Sequence, residues 1–155
     1  MSVELRFFTD AKILAIAGEH GVLLDRDKSQ GGDNSGFRAR ELWLTSLLAC
    51  ASGTLKAQAA QSGIEQAITS AQGELSLNEH GDIARVSLQF SFSAEVTAAQ
   101  QQGWLQTLRE RCFLLKTLHP AIELQLLTLP VVAGTQPLTG EPAAAEPYQR
   151  CALSC

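Results

Sequence analysis

The segment from Glu41 to Ala60 constrains this chain more than any other. Trp43, Leu47 and Cys50 fall at i, i+4 and i+7, and Leu44, Leu48, Ala51 and Leu55 form a second stripe that overlaps the first. A helix that is apolar over most of its circumference must be surrounded by protein. The spacing therefore predicts a central helix. Lys56, Gln58 and Gln61 bring its far end to solvent, and Gly63 supplies a stop. Its second stripe needs more cover than one small sheet provides, which predicts a dimer.

The elements that could provide cover are legible on both sides. Val86, Leu88, Phe90, Phe92 and Ala94 alternate with Arg85, Ser87, Gln89, Ser91 and Ser93, the clearest period of two in the chain. Leu75 and Leu77 alternate with Glu74, Ser76 and Asn78, and Glu79-His80-Gly81-Asp82 makes the turn between the two strands. One apolar and one polar face are expected of an antiparallel sheet that covers a helix on one side. Before the helix, Val3 to Phe8, Lys12 to Ala17 and Val22 to Asp25 read as short strands, the last two joined by Gly18-Glu19-His20-Gly21. The loop Gln30-Gly31-Gly32-Asp33-Asn34-Ser35-Gly36 demands unusual backbone. After the hairpin, Thr97 caps a second helix, Ala98 to about Cys112, with Trp104, Leu105, Leu108 and Cys112 on one side. His119-Pro120 ends that pattern, and Ile122, Leu124 and Leu126 read as a last strand. The order βββ-α-ββ-α-β is an α+β arrangement.

All five prolines follow residue 119, and Gly134 to Glu146 has no periodicity. We therefore expect a folded domain over 1–128 and a Pro/Ala-rich tail over 129–155. The formal charge of −4 leaves no electrostatic footprint for nucleic acid, and no run approaches a membrane span. Glu4, Arg6 and Asp10 replace the apolar stretch of a signal peptide, so a cytoplasmic, reducing location is expected. In such a compartment the four cysteines are expected to be buried, catalytic or metal-binding thiols.

Two of those cysteines lie on core faces. Each of Cys50 and Cys112 is, on pattern alone, a small hydrophobe. The functional alternative is a pair in which one thiolate attacks and the other resolves the product as a disulfide. It requires the two helices to pack with these faces together. Cys151 and Cys155, four apart in the tail, read by default as surface thiols. His20, His80 and His119 read as polar turn residues.

Gly31-Gly32-Asp33-Asn34-Ser35-Gly36, Arg40-Glu41-Leu42-Trp43-Leu44, Leu47-Leu48-Ala49-Cys50 and Gly63-Ile64 together resemble the signature of the OsmC/Ohr family, the osmotically inducible and organic hydroperoxide resistance proteins. Arg111 to Leu118 resembles that family's second cysteine segment. The resemblance implies an OsmC-like fold: an intertwined homodimer in which antiparallel sheets wrap two central helices and the sites lie at the subunit interface. It implies an antioxidant, stress-response peroxidase without metal or organic cofactor. Cys50 would reduce an organic hydroperoxide and become a sulfenic acid, Cys112 would resolve it, and an external dithiol would reset the pair. Family members activate the first cysteine with an arginine oriented by a glutamate. The strand turn that carries the arginine there reads Gly18-Glu19-His20-Gly21 here, leaving Arg26, Arg38 and Arg40 as candidates. Glu41 is the candidate glutamate. It precedes Cys50 by nine residues, which is ~13 Å of helix and the opposite side, so it reaches a Cys50 only across a dimer. Its structural role would be a favourable charge in the first helical turn. The alternative function is a protein that keeps the fold without efficient turnover and binds a small apolar ligand or a partner in the dimer cleft.

Overall fold

A computed structural model describes residues 2–129 of the chain. The tail expected over 129–155, with Cys151 and Cys155, lies outside the described residues except for Leu129, whose N–H donates to the Phe90 carbonyl at 2.8 Å.

Three strands come first: β1 (Glu4–Phe7), β2 (Ile13–Ala17) and β3 (His20–Leu24) form an antiparallel meander. The β2–β3 turn is tighter than the expected four residues. Ala17 pairs with His20, so Gly18 and Glu19 alone make the bend, with Gly18 at φ +61°. His20 is therefore a strand residue and not a turn residue.

The chain then enters the glycine-rich loop, which is built around one buried carboxylate. Asp25 is only 3% exposed. Its oxygens accept from the N–H groups of Arg26 (2.9 Å), Asp33 (3.1 Å) and Ser35 (3.0 Å) and from the Ser35 hydroxyl (2.7 Å). Gly32 and Gly36 are required by contact. A Cβ on Gly32 would lie 2.0 Å from the Arg26 carbonyl oxygen, and one on Gly36 would lie 2.5 Å from that of Leu23.

Helix α1 (Ala39–Gln61) follows, and Ser62-Gly63 ends it with Gly63 at φ +75°. Leu47, Ala51, Leu55 and Ala59 on α1 are fully buried, at i, i+4, i+8 and i+12. Trp43, Leu44, Leu48 and Cys50, on the flanks of that face, are half-buried against the same core. Strands β4 (Ile68–Leu77) and β5 (Ile83–Phe92) then form the long hairpin, its turn running from Asn78 to Asp82 with Gly81 at φ +83°. Val86, Leu88, Phe90 and Phe92 point into the core as the period of two requires. Gly73 on β4 lets Leu44 of α1 approach closely, since a Cβ there would meet that side chain at 3.3 Å.

Thr97 caps helix α2 (Ala98–Arg111), accepting from the Gln100 N–H at 3.3 Å. The chain returns through a short 3₁₀ turn (Leu115–Thr117) to β6 (Glu123–Thr128). This strand runs parallel to β5, with Val86 opposite Leu124 and Leu88 opposite Leu126. The second sheet, in the order β4-β5-β6, is thus antiparallel at β4–β5, as expected, and mixed through the parallel β6. The cause is α2, which carries the chain back along the sheet before β6 begins.

Hydrogen bonds to the ionised form hold the Asp25 carboxyl at about 2, chiefly from the Ser35 hydroxyl and then the Ser35 N–H. A depressed carboxylate contributes stability above its unfolded value and loses it as pH falls through the folded one. Asp25→Asn is expected to melt at lower temperature than wild type at pH 7. The gap should close as pH falls from about 4 toward 2. A constant gap across that range, measured by calorimetry, contradicts this role.

Candidate active site

Helices α1 and α2 bring their cysteine-bearing faces together. Cys50 sits at the middle of α1 and is half-buried, whereas Cys112, the residue immediately after α2, is fully buried. Their sulfurs are 3.2 Å apart, with the Cys112 thiol donating to the Cys50 sulfur. Both are free thiols. Leu108, one turn before Cys112, and Leu47, Ala51 and Leu55 on α1 pack the surround. The Thr107 hydroxyl also reaches Gln58 Oε1 on α1 at 3.3 Å, tying the two helices together.

Burial pushes the Cys112 thiol up, because a thiolate there loses water. Two neighbouring groups, the Leu115 backbone N–H and the Thr54 hydroxyl, partly oppose that shift. Neither residue was singled out from the sequence. Thr54 carries a legible signal, since it follows Cys50 by four residues and shares its helix face. It donates to the Cys50 carbonyl at 3.0 Å. The Leu115 N–H carries no such signal, because it depends on how the chain turns after α2.

The other site candidates gather elsewhere. A groove of about 490 Å³ at the N-terminal end of α1 is lined by Asp25, Arg26, Arg38, Arg40, Glu41 and Leu75, among others. Within it Glu41 holds Arg38. One carboxylate oxygen accepts from the Arg38 N–H at 3.0 Å, and the other from Arg38 Nε at 2.8 Å and from Nη2. The Arg38 guanidinium keeps the Glu41 carboxyl below its usual range. Asp27 lies 3.7 Å from the same guanidinium. The structure thus assembles Glu41 and all three candidate arginines in one groove, away from Cys50 of the same chain. Among the described residues, no cationic side chain hydrogen-bonds the Cys50 sulfur. Nor is any group of three or more His, Cys, Asp or Glu among them placed to hold a metal ion. No helix among them is long and apolar enough to cross a membrane.

A long helix sheathed on one side by a mixed sheet, with a second helix delivering a thiol to its middle, defines an α+β protein with a paired-cysteine site. The family model described as OsmC-like protein matches residues 32–126, and the chain belongs to that family. No curated protein matches it. Among solved structures, a candidate osmotic stress induced and detoxification response protein from Psychrobacter arcticus 273-4 is similar at TM-score 0.70 and 19% identity, over 83% of this chain and 96% of that one. The OsmC-like protein from Mycoplasma pneumoniae aligns at TM-score 0.65 and 18% identity, over 83% and 94%. The organic hydroperoxide resistance protein OhrB of Bacillus subtilis aligns at TM-score 0.63 and 19% identity, over 83% and 96%. At these identities the likeness establishes the fold.

The difference in exposure between the two sulfurs is measurable. With limiting alkylating agent, Cys50 is expected to be modified well before Cys112 in the native protein, with denaturation removing the difference. Equal native labelling rates by peptide mass spectrometry contradict the arrangement.

Proposed function

We propose that the chain is a thiol-dependent hydroperoxide reductase that acts as a homodimer on organic hydroperoxides in a reducing, cytoplasmic setting. One observation carries this reading: the two free sulfurs lie 3.2 Å apart, one accessible and one sheltered. The Cys50 thiolate attacks the outer oxygen of the hydroperoxide, the O–O bond breaks, and the alkoxide leaves as alcohol after taking a proton. Cys50 is then a sulfenic acid. Cys112 attacks its sulfur, an S–S bond forms, and hydroxide departs as water. An external dithiol reduces the disulfide by two exchange steps and becomes a disulfide itself. Hydroperoxide and dithiol are thereby converted to alcohol, water and oxidised dithiol.

One equivalent of cumene hydroperoxide is expected to remove two thiols per chain and to give a Cys50–Cys112 bond. Cys112→Ser should instead accumulate a trappable sulfenic acid on Cys50, and Cys50→Ser should react slowly. A wild-type chain that loses its core thiols no faster than Cys50→Ser removes the proposal.

The thiolate at Cys50 needs a cation, and the dimer is where we place it. Leu5 and Phe7 on β1 and Val3 just before it form one exposed apolar row, 50–70% accessible, with Phe8 beside it. Such a row fits burial by a second copy of the chain. Across that interface the Arg38–Glu41 pair would face Cys50 of the other subunit, with Glu41 orienting the guanidinium. Arg38→Ala is expected to slow peroxide reduction about tenfold or more, from the loss of one nearby positive charge, while leaving a dimer in sedimentation. An unchanged rate, or a stable folded wild-type monomer, contradicts the assignment.

A second reading rests on the lack of a cation hydrogen-bonded to Cys50 among the described residues of one chain. In it the fold binds a small apolar ligand or a partner in the cleft without efficient turnover. It is favoured if oxidation is slow and unselective toward hydroperoxides and if the function survives Cys50→Ser.

A further inference from the structure

The most exposed large apolar side chain among the described residues is Phe113, at 71%. It directly follows Cys112, which is fully buried with its sulfur 3.2 Å from that of Cys50. The end of α2 sets up this contrast. Cys112 leaves the helix in extended backbone, at φ −79° and ψ 120°, while its N–H still donates to the Leu108 carbonyl at 2.8 Å. Consecutive side chains of extended backbone point to opposite sides, so Cys112 goes inward and Phe113 outward. The chain then turns back at once. The Lys116 N–H donates to the Cys112 carbonyl at 3.2 Å, and the Thr117 N–H to that of Leu114 at 3.0 Å. Phe113 is thus held in water by ordered backbone, at a cost in apolar exposure.

Cations accompany the ring. Arg109 and Arg111 stand in the last turn of α2 and Lys116 in the turn that follows, all exposed. Among the described residues none of the three forms an ion pair, whereas Arg6, Lys12, Arg38 and Arg85 each sit against a carboxylate. Glu110 is the one carboxylate between Arg109 and Thr117. The segment is therefore locally basic in a chain whose formal charge is −4. An exposed aromatic flanked by arginines has the composition of a binding hot spot, and unpaired cations select a partner of opposite charge.

We propose that Phe113, with Arg109, Arg111 and Lys116, is the docking surface for the dithiol that resets the cysteine pair, and that this donor is a protein with an acidic, partly apolar surface. The inference rests on the peroxidase reading above and names the kind of partner it requires. Cys112 is buried, so a thiolate of the donor attacks the Cys50 sulfur of the Cys50–Cys112 disulfide. That S–S bond breaks, its electron pair leaves on Cys112, which takes a proton, and a mixed disulfide joins Cys50 to the donor. The donor's second thiol gives up its proton and attacks its neighbour's sulfur in the mixed disulfide. Cys50 leaves as thiolate, and the donor departs as a disulfide. Docking one residue from the buried sulfur turns the first attack into a local event, and the cations raise the rate of encounter. A small neutral dithiol gains nothing from this surface.

The test starts from the Cys50–Cys112 disulfide made with diamide in the full chain carrying Cys151→Ser and Cys155→Ser, so that it does not depend on hydroperoxide. Three reductants are compared: dithiothreitol, a Leu-Cys-Gly-Pro-Cys-Leu peptide flanked by glutamates, and the same peptide flanked by lysines. The glutamate peptide is expected to reduce the disulfide about tenfold faster than the lysine peptide at low ionic strength, with the preference fading at about 0.5 M salt. Arg109→Glu/Arg111→Glu should abolish or reverse the preference, and Phe113→Ser should slow the glutamate peptide severalfold. Both variants should keep the wild-type rate with dithiothreitol. The proposal is overturned if the two peptides react alike, if the variants slow dithiothreitol as much as the peptide, or if diamide forms no Cys50–Cys112 bond. It is also overturned if Phe113→Ser weakens the dimer in sedimentation, since the ring then belongs to the subunit interface. If hydroperoxide forms no disulfide, the peroxidase reading fails; a charge preference toward the diamide-made disulfide keeps the docking surface, and its absence removes it.

Discussion

Helix α1 needs cover on nearly every side, and most of the architecture follows from how the chain supplies it. Its deepest row, Leu47, Ala51, Leu55 and Ala59, is closed by the inward residues of β5 and by α2. Alanine at two of those positions allows neighbours to come near, and Gly73 does the same where β4 crosses Leu44. Close approach of α2 then fixes where the residue that follows it falls. Cys112 reaches Cys50 because Leu108, one turn earlier, is locked in the core. The thiol pair is therefore a product of helix packing, with no loop involved in holding the sulfurs together.

That placement creates an electrostatic problem at the buried sulfur. A buried thiolate costs free energy unless something replaces the lost water. At Cys112 burial pushes the thiol up, because a thiolate there would lose water. At the N-terminal end of α1 the chain gathers full charges instead, with Glu41 gripping Arg38. Ionic groups of this kind remain half-exposed and need no burial within their own subunit. The division is physically consistent: full charges sit at a surface, and the buried sulfur lies where an ion would be expensive.

How much was legible in the sequence depends on which interactions are local. The central helix, the Phe90–Phe92 strand and the Thr97 cap are written in spacing, and each appears where spacing puts it. The start of β4 was less legible, since Ala71 and Gly73 interrupt the alternation that marks the strand from Glu74 onward. The direction of β6 does not reside in its residues at all; it comes from the length of α2 between the two strands. The glycine-rich loop announced an unusual backbone, but not the carboxylate at its centre. Asp25 looked like a strand end, and only the folded loop shows it receiving the Asp33 and Ser35 amides. For the site, the cysteines were visible as residues on apolar faces. Their meeting depended on packing, which periodicity permits without requiring. Glu41 was correctly separated from Cys50 of its own chain by helix geometry, while its grip on Arg38, three residues earlier, is a short-range pairing that spacing alone could have suggested.

The loop and the charged groove belong to one construction. Asp25 and Arg26 line the groove and also anchor the loop, through the carboxylate of Asp25 and the carbonyl of Arg26, which accepts from the Asn34 N–H at 3.0 Å. The loop returns at Phe37, whose N–H donates to the Leu23 carbonyl at 2.9 Å and whose carbonyl accepts from the Asp25 N–H at 3.1 Å. Arg38 begins the helix at the next residue. The first sheet, the loop and the start of α1 are thus stitched together within one residue of the guanidinium, and Asp27 and Glu41 hold its two sides. A side chain as flexible as arginine loses much rotamer freedom when so held. Surface solubility would not require that degree of order. On the proposed reading, a cation that meets a sulfur at a set distance would, and the tight glycines at 32 and 36 then help the groove keep its shape.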